Sequence, residues 1–267
     1  SCAANQANPH AMDRARAYLT DLVRYPSLIG TLAVNFTPLI GVLVWGWGVG
    51  PLVLLYWLEN VVVGFITLFR MALTAASSAG SAFSLLFFAP FFCFHYGLFC
   101  FVHGVFVLAL ANASGGLDKA AQNIPIGAIE GGPFDVFNAA LHAAPGVPVI
   151  LAIIGGWRLV LMLIHYVLRG EFRTSNPVAE MGKPYGRIIT LHFAIFAGAF
   201  GLIWLKEPAW GMFGLIMLKA AFDFFGVRSE VTRSPAADEA RAKSQAAFQA
   251  LDREINARLF KRRPPAG

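Results

Sequence analysis

Charge is scarce in this chain. Only 13% of its 267 residues are Asp, Glu, Lys or Arg, while 57% are hydrophobic. Soluble domains carry roughly 25% charged residues. Mean hydropathy is +0.61. A water-soluble fold of this length has too little interior to hide so much apolar surface, whereas a bilayer replaces water around the outer side chains. Cysteine is also rare: Cys2, Cys93 and Cys100. Cys93 and Cys100 sit in an apolar run and read as buried thiols, so no disulfide framework is expected. HExxH, paired-carboxylate and Gly-x-Ser-x-Gly motifs are all missing, which argues against the familiar hydrolase chemistries. No serine in a Gly-rich setting offers a nucleophile for intramembrane proteolysis. The polar stretch before Arg14 has no apolar core, so no signal peptide is expected.

What the chain has instead is long apolar runs, rich in its 24 Phe. A spanning helix needs about 20 mostly apolar residues. About six runs qualify, giving an all-α polytopic transmembrane bundle over residues 28–227. The expected spans are 28–49, 51–73, 83–110, 147–168, 188–205 and 209–227. Gly50-Pro51 is expected to make a tight turn, and Pro38 and Pro90 to kink their helices. Residues 112–146 form a polar, Gly-rich loop with room for a short interfacial helix over 133–142. Residues 1–27 are a tail with a surface helix near 11–24, and 228–267 a basic tail. Gly97, Gly104, Gly155, Gly156, Gly198 and Gly201 allow close helix contact.

The basic residues orient this map. With the N-terminus inside, the inner segments hold Arg14, Arg16, Arg24, Arg70, Arg169, Arg173, Lys183, Arg187 and the basic tail. The outer loops hold only Lys119 and Lys206. Both termini are therefore expected in the cytoplasm. Trp45, Trp47, Trp204 and Trp210 then fall near the outer interface, as an aromatic belt should. The net charge of +6 and pI near 9.5 read as orientation signal and headgroup contact rather than nucleic-acid binding. In the tail, Ser234-Pro235 starts a helix on which Phe248, Leu251, Ile255 and Leu259 share a stripe. Such a basic amphipathic helix suits anionic headgroups or a partner subunit.

Ionisable groups inside spans are costly and mark candidate sites. They are Glu59, beside Asn60, in the second span; His95 and His103 in the third; Arg158 and His165 in the fourth; His192 in the fifth; and Lys219 and Asp223 in the sixth. At about 1.5 Å per residue, Glu59 and Arg158 reach a common mid-depth and form the natural buried ion pair. Lys219 and Asp223 are four apart and pair locally. His95 and His103 differ by about 80° and about 12 Å, so they cannot chelate one small ion together. A transition metal would need His95 with Glu59 or His165. A haem b would need facing histidines, for which His165 with His192 matches best in depth. A lone histidine in a span usually makes an interhelical hydrogen bond.

The run Tyr56-Trp57-Leu58-Glu59-Asn60-Val61-Val62-Val63-Gly64-Phe65, followed by Phe94-His95-Tyr96-Gly97 and Phe101-Val102-His103-Gly104, resembles a family of bacterial polytopic membrane proteins catalogued as a domain of unknown function. The resemblance covers roughly the first four spans. It implies a helical bundle of the bacterial inner membrane in which the Glu-Asn and His-Tyr-Gly positions are recurring polar points. It implies no activity. Three readings follow: an accessory subunit or homo-oligomer within a membrane complex, a haem- or metal-binding redox or hydrolytic protein, and a small-molecule transporter or channel. The absence of a clear internal repeat weighs against the third.

Overall fold

The computed structural model describes residues 9–77, 81–113, 132–186, 188–189, 208–233 and 235–260. Among them every regular element is helical. The helices are α1 (Pro9–Arg24), α2 (Pro26–Asn35), α3 (Pro38–Val44), α4 (Val49–Ala76), α5 (Ser81–Ala113), α6 (Pro133–Leu141) and α7 (Val147–Leu161). A π-helical segment, Met162–Leu168, continues α7. Then come α8 (177–186), α9 (Pro208–Val231) and α10 (Pro235–Phe260). Proline opens most of them, at the position where its missing N–H costs nothing and its fixed φ suits a helix. The α8 start is capped as well: the Ala179 amide donates to Asn176 Oδ1 at 2.8 Å.

Four stretches are long and apolar enough to cross a membrane: Pro26–Val44, Val49–Ala76, Ser84–Ala109 and Val147–Leu168. The expected fifth span lies almost wholly outside the described residues, with His192 and Trp204. The stretch expected as the sixth is α9, which carries Lys219 and Asp223.

The kink expected at Pro38 appears as a break in the helix, and two other local expectations are corrected. The first span is broken at Phe36-Thr37, and α3 restarts at Pro38. The turn into α4 lies at Trp45–Gly48, with Gly46 at φ +64°, not at Gly50-Pro51. Pro51 is accommodated in the first turn of α4, where no intrahelical N–H bond is lost. Trp47 is also not an interfacial belt residue. It is buried, stacks on Trp45 and donates its indole N–H to Pro145 O at 2.9 Å.

Helix α4 is central. Within its most apolar window 61% of residues are buried, against 17% for α5. The α4 stretch from Leu52 to Leu58 packs against residues of α5, α6, α7 and α9. The outer faces are greasy: Phe65, Phe69, Phe87, Phe94 and Phe106 are exposed. Buried positions include Asn35, Glu59, Asn60, Thr67, His165, Glu180 and Asp223. Apolar outside with polar inside is the distribution a bilayer selects.

The family-like motifs interlock α4 and α5. Tyr96 donates its hydroxyl to Asn60 O at 2.9 Å, and a Cβ at Gly64 would come within 2.7 Å of the Tyr96 ring. Trp57 donates its indole N–H to Cys100 O at 2.8 Å, with its ring over Gly104.

Candidate functional site

The site is built on one polar stripe of α4. Helical spacing brings Tyr56, Asn60, Val63, Thr67 and Arg70 along one side of that helix, and all five border one cavity. α7 with its π segment, α8 and α9 supply the other walls.

At the deep end four charges form a closed network. Arg158 approaches Glu59 Oε1 with Nε at 2.7 Å and Nη2 at 2.6 Å, and Nη2 also reaches Asp223 Oδ2 at 2.7 Å. Lys219 Nζ lies 2.9 Å from Glu59 Oε2 and 2.8 Å from Asp223 Oδ2. It also donates to Asn35 Oδ1, which ties α2 into the network. Glu59 is fully buried. Two carboxylates thus face two cations with no net charge, so each buried ion has a counter-ion and hydrogen bonds. Lys219 and Asp223 are not only a local i,i+4 pair, because α9 also meets α4 and α7 through them.

A second cluster closes the other end. Glu180, on α8 and fully buried, takes Arg70 Nε at 2.7 Å, Lys183 Nζ at 2.7 Å and the Ser175 hydroxyl. The Arg70 guanidinium stacks 4.0 Å over the Tyr166 ring. Tyr166 shares a hydrogen bond with Thr74 and donates to Arg70 O at 3.2 Å. Burial opposes the Glu180 carboxylate, yet Arg70 and Lys183, with hydrogen bonds from Lys183 and Ser175, hold its pKa below the ordinary 4.5. Burial, and then Arg70, hold the Lys183 ammonium below its usual range. Since the folded pKa of Glu180 is the lower one, its contribution is fully present above pH 4.5 and is lost as pH falls below that. Glu180→Gln is expected to cost about 1–3 kcal/mol at pH 7 and to flatten the acid limb of a Tm-against-pH curve. An unchanged acid limb would refute the assignment.

Between the clusters lies a cavity of about 600 Å³. Two of its wall residues have buried polar atoms that lack hydrogen-bond partners among the described residues: the Tyr56 hydroxyl, and both ring nitrogens of His165. Tyr56 is 3% and His165 5% exposed. His165 and Tyr166 belong to the π segment. A π turn is rare and is frequent at functional sites, because it redirects side chains that a regular helix would aim elsewhere.

The histidines separate. His95 is exposed on α5, stacked on Phe91 and 2.8 Å from the Tyr185 hydroxyl. His103 Nδ1 lies 3.0 Å from the Phe99 carbonyl one turn back. Of the three candidate histidines among the described residues, only His165 lines the cavity. No group of three His, Cys, Asp or Glu among the described residues is placed to hold a metal ion. Reading the sequence did not single out Tyr56, Tyr166, Arg70 or Glu180 as site residues. Glu180 left one faint signal, an Asn-Pro helix start followed by a Glu-Lys pair at i,i+3.

The chain belongs to a family of unknown function (DUF6498), whose model matches residues 19–247. The match runs past the fourth span, through the long loop and into the tail, further than the motifs alone imply. No curated protein and no solved structure matches the chain.

Proposed function

We propose that this protein is a six-span membrane protein, with both termini in the cytoplasm, that binds a small polar solute within the bilayer and acts as a transporter or as the binding subunit of one. The observation that supports this reading is the cavity. Its wall combines apolar and charged side chains, and it runs from the Arg158–Lys219–Asp223 network to the end of the bundle where the α7–α8 loop and the end of α9 lie. Ionisable groups in spans are rare and mark solute or ion pathways. Pockets of about 300–1,000 Å³ hold small molecules. The positive-inside bias of the basic residues supports a mouth on the cytoplasmic side.

Water access tests the reading. In a background with Cys2, Cys93 and Cys100 replaced by serine, Val63→Cys lies within the cavity and Ser229→Cys at its exposed end. A membrane-impermeant cationic methanethiosulfonate is expected to modify both in oriented vesicles, from the cytoplasmic face only. Modification of Ser229→Cys without Val63→Cys would mean a dry interior and would overturn the proposal.

The accessory-subunit reading is favoured by one observation: α10 leaves Leu251 and Ile255 exposed. Anionic headgroups cover the same basic, apolar-striped surface equally well. A stoichiometric partner lost on removing residues 235–267 would support the subunit reading.

A further inference from the structure

We propose that the cavity's ligand is a zwitterion of about dipeptide length, held by Tyr56 at the deep end and His165 nearer the mouth. This inference rests on the binding reading above and names its ligand class.

The first argument is charge balance. Arg158 and Lys219 are matched by Glu59 and Asp223. Arg70 and Lys183 share Glu180, and Arg233 faces Glu171 at 3.5 Å. Glu230, also on the wall, makes no ion pair within 4 Å among the described residues; the described lining thus carries five cations and four anions, and Glu59, just behind it, is the fifth anion. A net-charged ligand would enter such a wall with no spare counter-charge and bear the full desolvation penalty. A zwitterion leaves the balance unchanged.

The second argument is hydrogen-bond demand. Buried polar groups are almost always paired, and an unpaired one costs about 1–3 kcal/mol. Tyr56 Oη–H offers a donor beside Lys219, whose Nζ sits 5.2 Å from the Tyr56 ring centroid. That is a place for a carboxylate or phosphate. His165 offers a ring nitrogen as acceptor, and Glu230 a carboxylate with no ion pair within 4 Å among the described residues, both from the same wall. That is a place for an ammonium. His165 is seven residues beyond Arg158, which meets Glu59, and Tyr56 lies three residues before Glu59, so Tyr56 and His165 are separated by about 10–15 Å along the bundle. Two residues of extended chain reach about 7 Å, and a hydrogen bond of about 2.8 Å at each end brings the span to about 12–13 Å.

The same chemistry is offered by a free dipeptide and by an ethanolamine phospholipid headgroup. The test measures thermal unfolding of the maltoside-purified protein with L-alanyl-L-alanine, its N-acetyl and C-amide derivatives, and glycerophosphoethanolamine. At least one zwitterion is expected to raise Tm saturably, with the two charged derivatives about tenfold weaker or worse. The zwitterion that binds identifies the source. Tyr56→Phe and His165→Phe are each expected to weaken binding about tenfold without lowering the ligand-free Tm, since each removes a polar group that has no partner. Equal binding of the charged derivatives would overturn the ligand class. So would a flat response to both zwitterions while Val63→Cys is labelled. If Val63→Cys is itself unlabelled, the binding reading falls first.

Discussion

Replacing Glu59 with leucine is expected to cost about 3–5 kcal/mol of folding stability, as is replacing Arg158 with methionine. The cost comes less from a lost attraction than from the ions left behind. Without Glu59, the mostly buried Arg158 and Lys219 cations are left with Asp223 as their carboxylate among the described residues. Without Arg158, two carboxylates face one lysine. The double replacement leaves Lys219 and Asp223 as a neutral pair four residues apart on α9, with Asn35 still accepting from Lys219. Two ions are then gone together, and the double variant should lie within about 1–2 kcal/mol of the parent, since a buried pair is often no better than apolar packing. The coupling energy is the diagnostic. Dodecyl sulfate titration in bicelles, followed by tryptophan fluorescence, measures all four corners of the cycle. Additive losses would show that the network is not one unit.

The network was half legible in the sequence. An ionisable residue inside an apolar run is conspicuous, so Glu59, Arg158, Lys219 and Asp223 could each be singled out, and depth counting put the first two at one level. Their convergence could not be read. It depends on how four helices are rotated about their axes, and the apolar faces here are nearly continuous, so periodicity carries little information on azimuth. Tyr56 and Tyr166 passed unnoticed because a tyrosine in a span is ordinary until its hydroxyl is found unpaired or stacked under an arginine. Glu180 was hidden for the opposite reason: a carboxylate in a charged loop is expected to be solvated, and only the docking of α8 onto Arg70 buries it. The π segment has no sequence signature at all. At the level of the fold, the apolar runs located the long helices well, whereas Gly50-Pro51 misled. Gly-Pro marks a turn or a helix's first turn equally well. The choice went to Gly46, whose positive φ made the reversal four residues earlier.

These pieces fit one physical design. A bilayer gives no hydrophobic drive for helices to pair, so association relies on close packing and polar contacts. The α4–α5 seam supplies the packing, and the two ionic clusters supply polar ties at Glu59 and Arg70 of α4. What lies between the ties is neither packed nor paired. A cavity bounded by paired ionic clusters is what the proposed binding site needs, because paired walls hold their geometry.

The seam makes the second large prediction. Trp57→Ala is expected to cost about 3–5 kcal/mol, the usual range for deleting a buried Trp side chain, and it also leaves Cys100 O without its 2.8 Å donor. Gly104→Leu should be comparably harmful for the converse reason. A Cβ at Gly104 would overlap the Trp57 indole, and both residues are buried against the partner helix. Neither backbone can retreat without separating α4 from α5, so overpacking here sits at or above the usual 1–3 kcal/mol. The two volumes occupy the same space, which makes the pair a knob that can be supplied from either helix. Gly104→Leu made on top of Trp57→Ala should therefore recover about 1–2 kcal/mol of the alanine loss. Recovery stops short of the parent because leucine cannot restore the hydrogen bond to Cys100 O. The same bicelle titration reads this cycle. If leucine at 104 is as damaging with alanine at 57 as with tryptophan, the two side chains do not share that space, and the α4–α5 crossing is wider than the close approach of Gly64 to Tyr96 and of Gly50 to Ala111 requires.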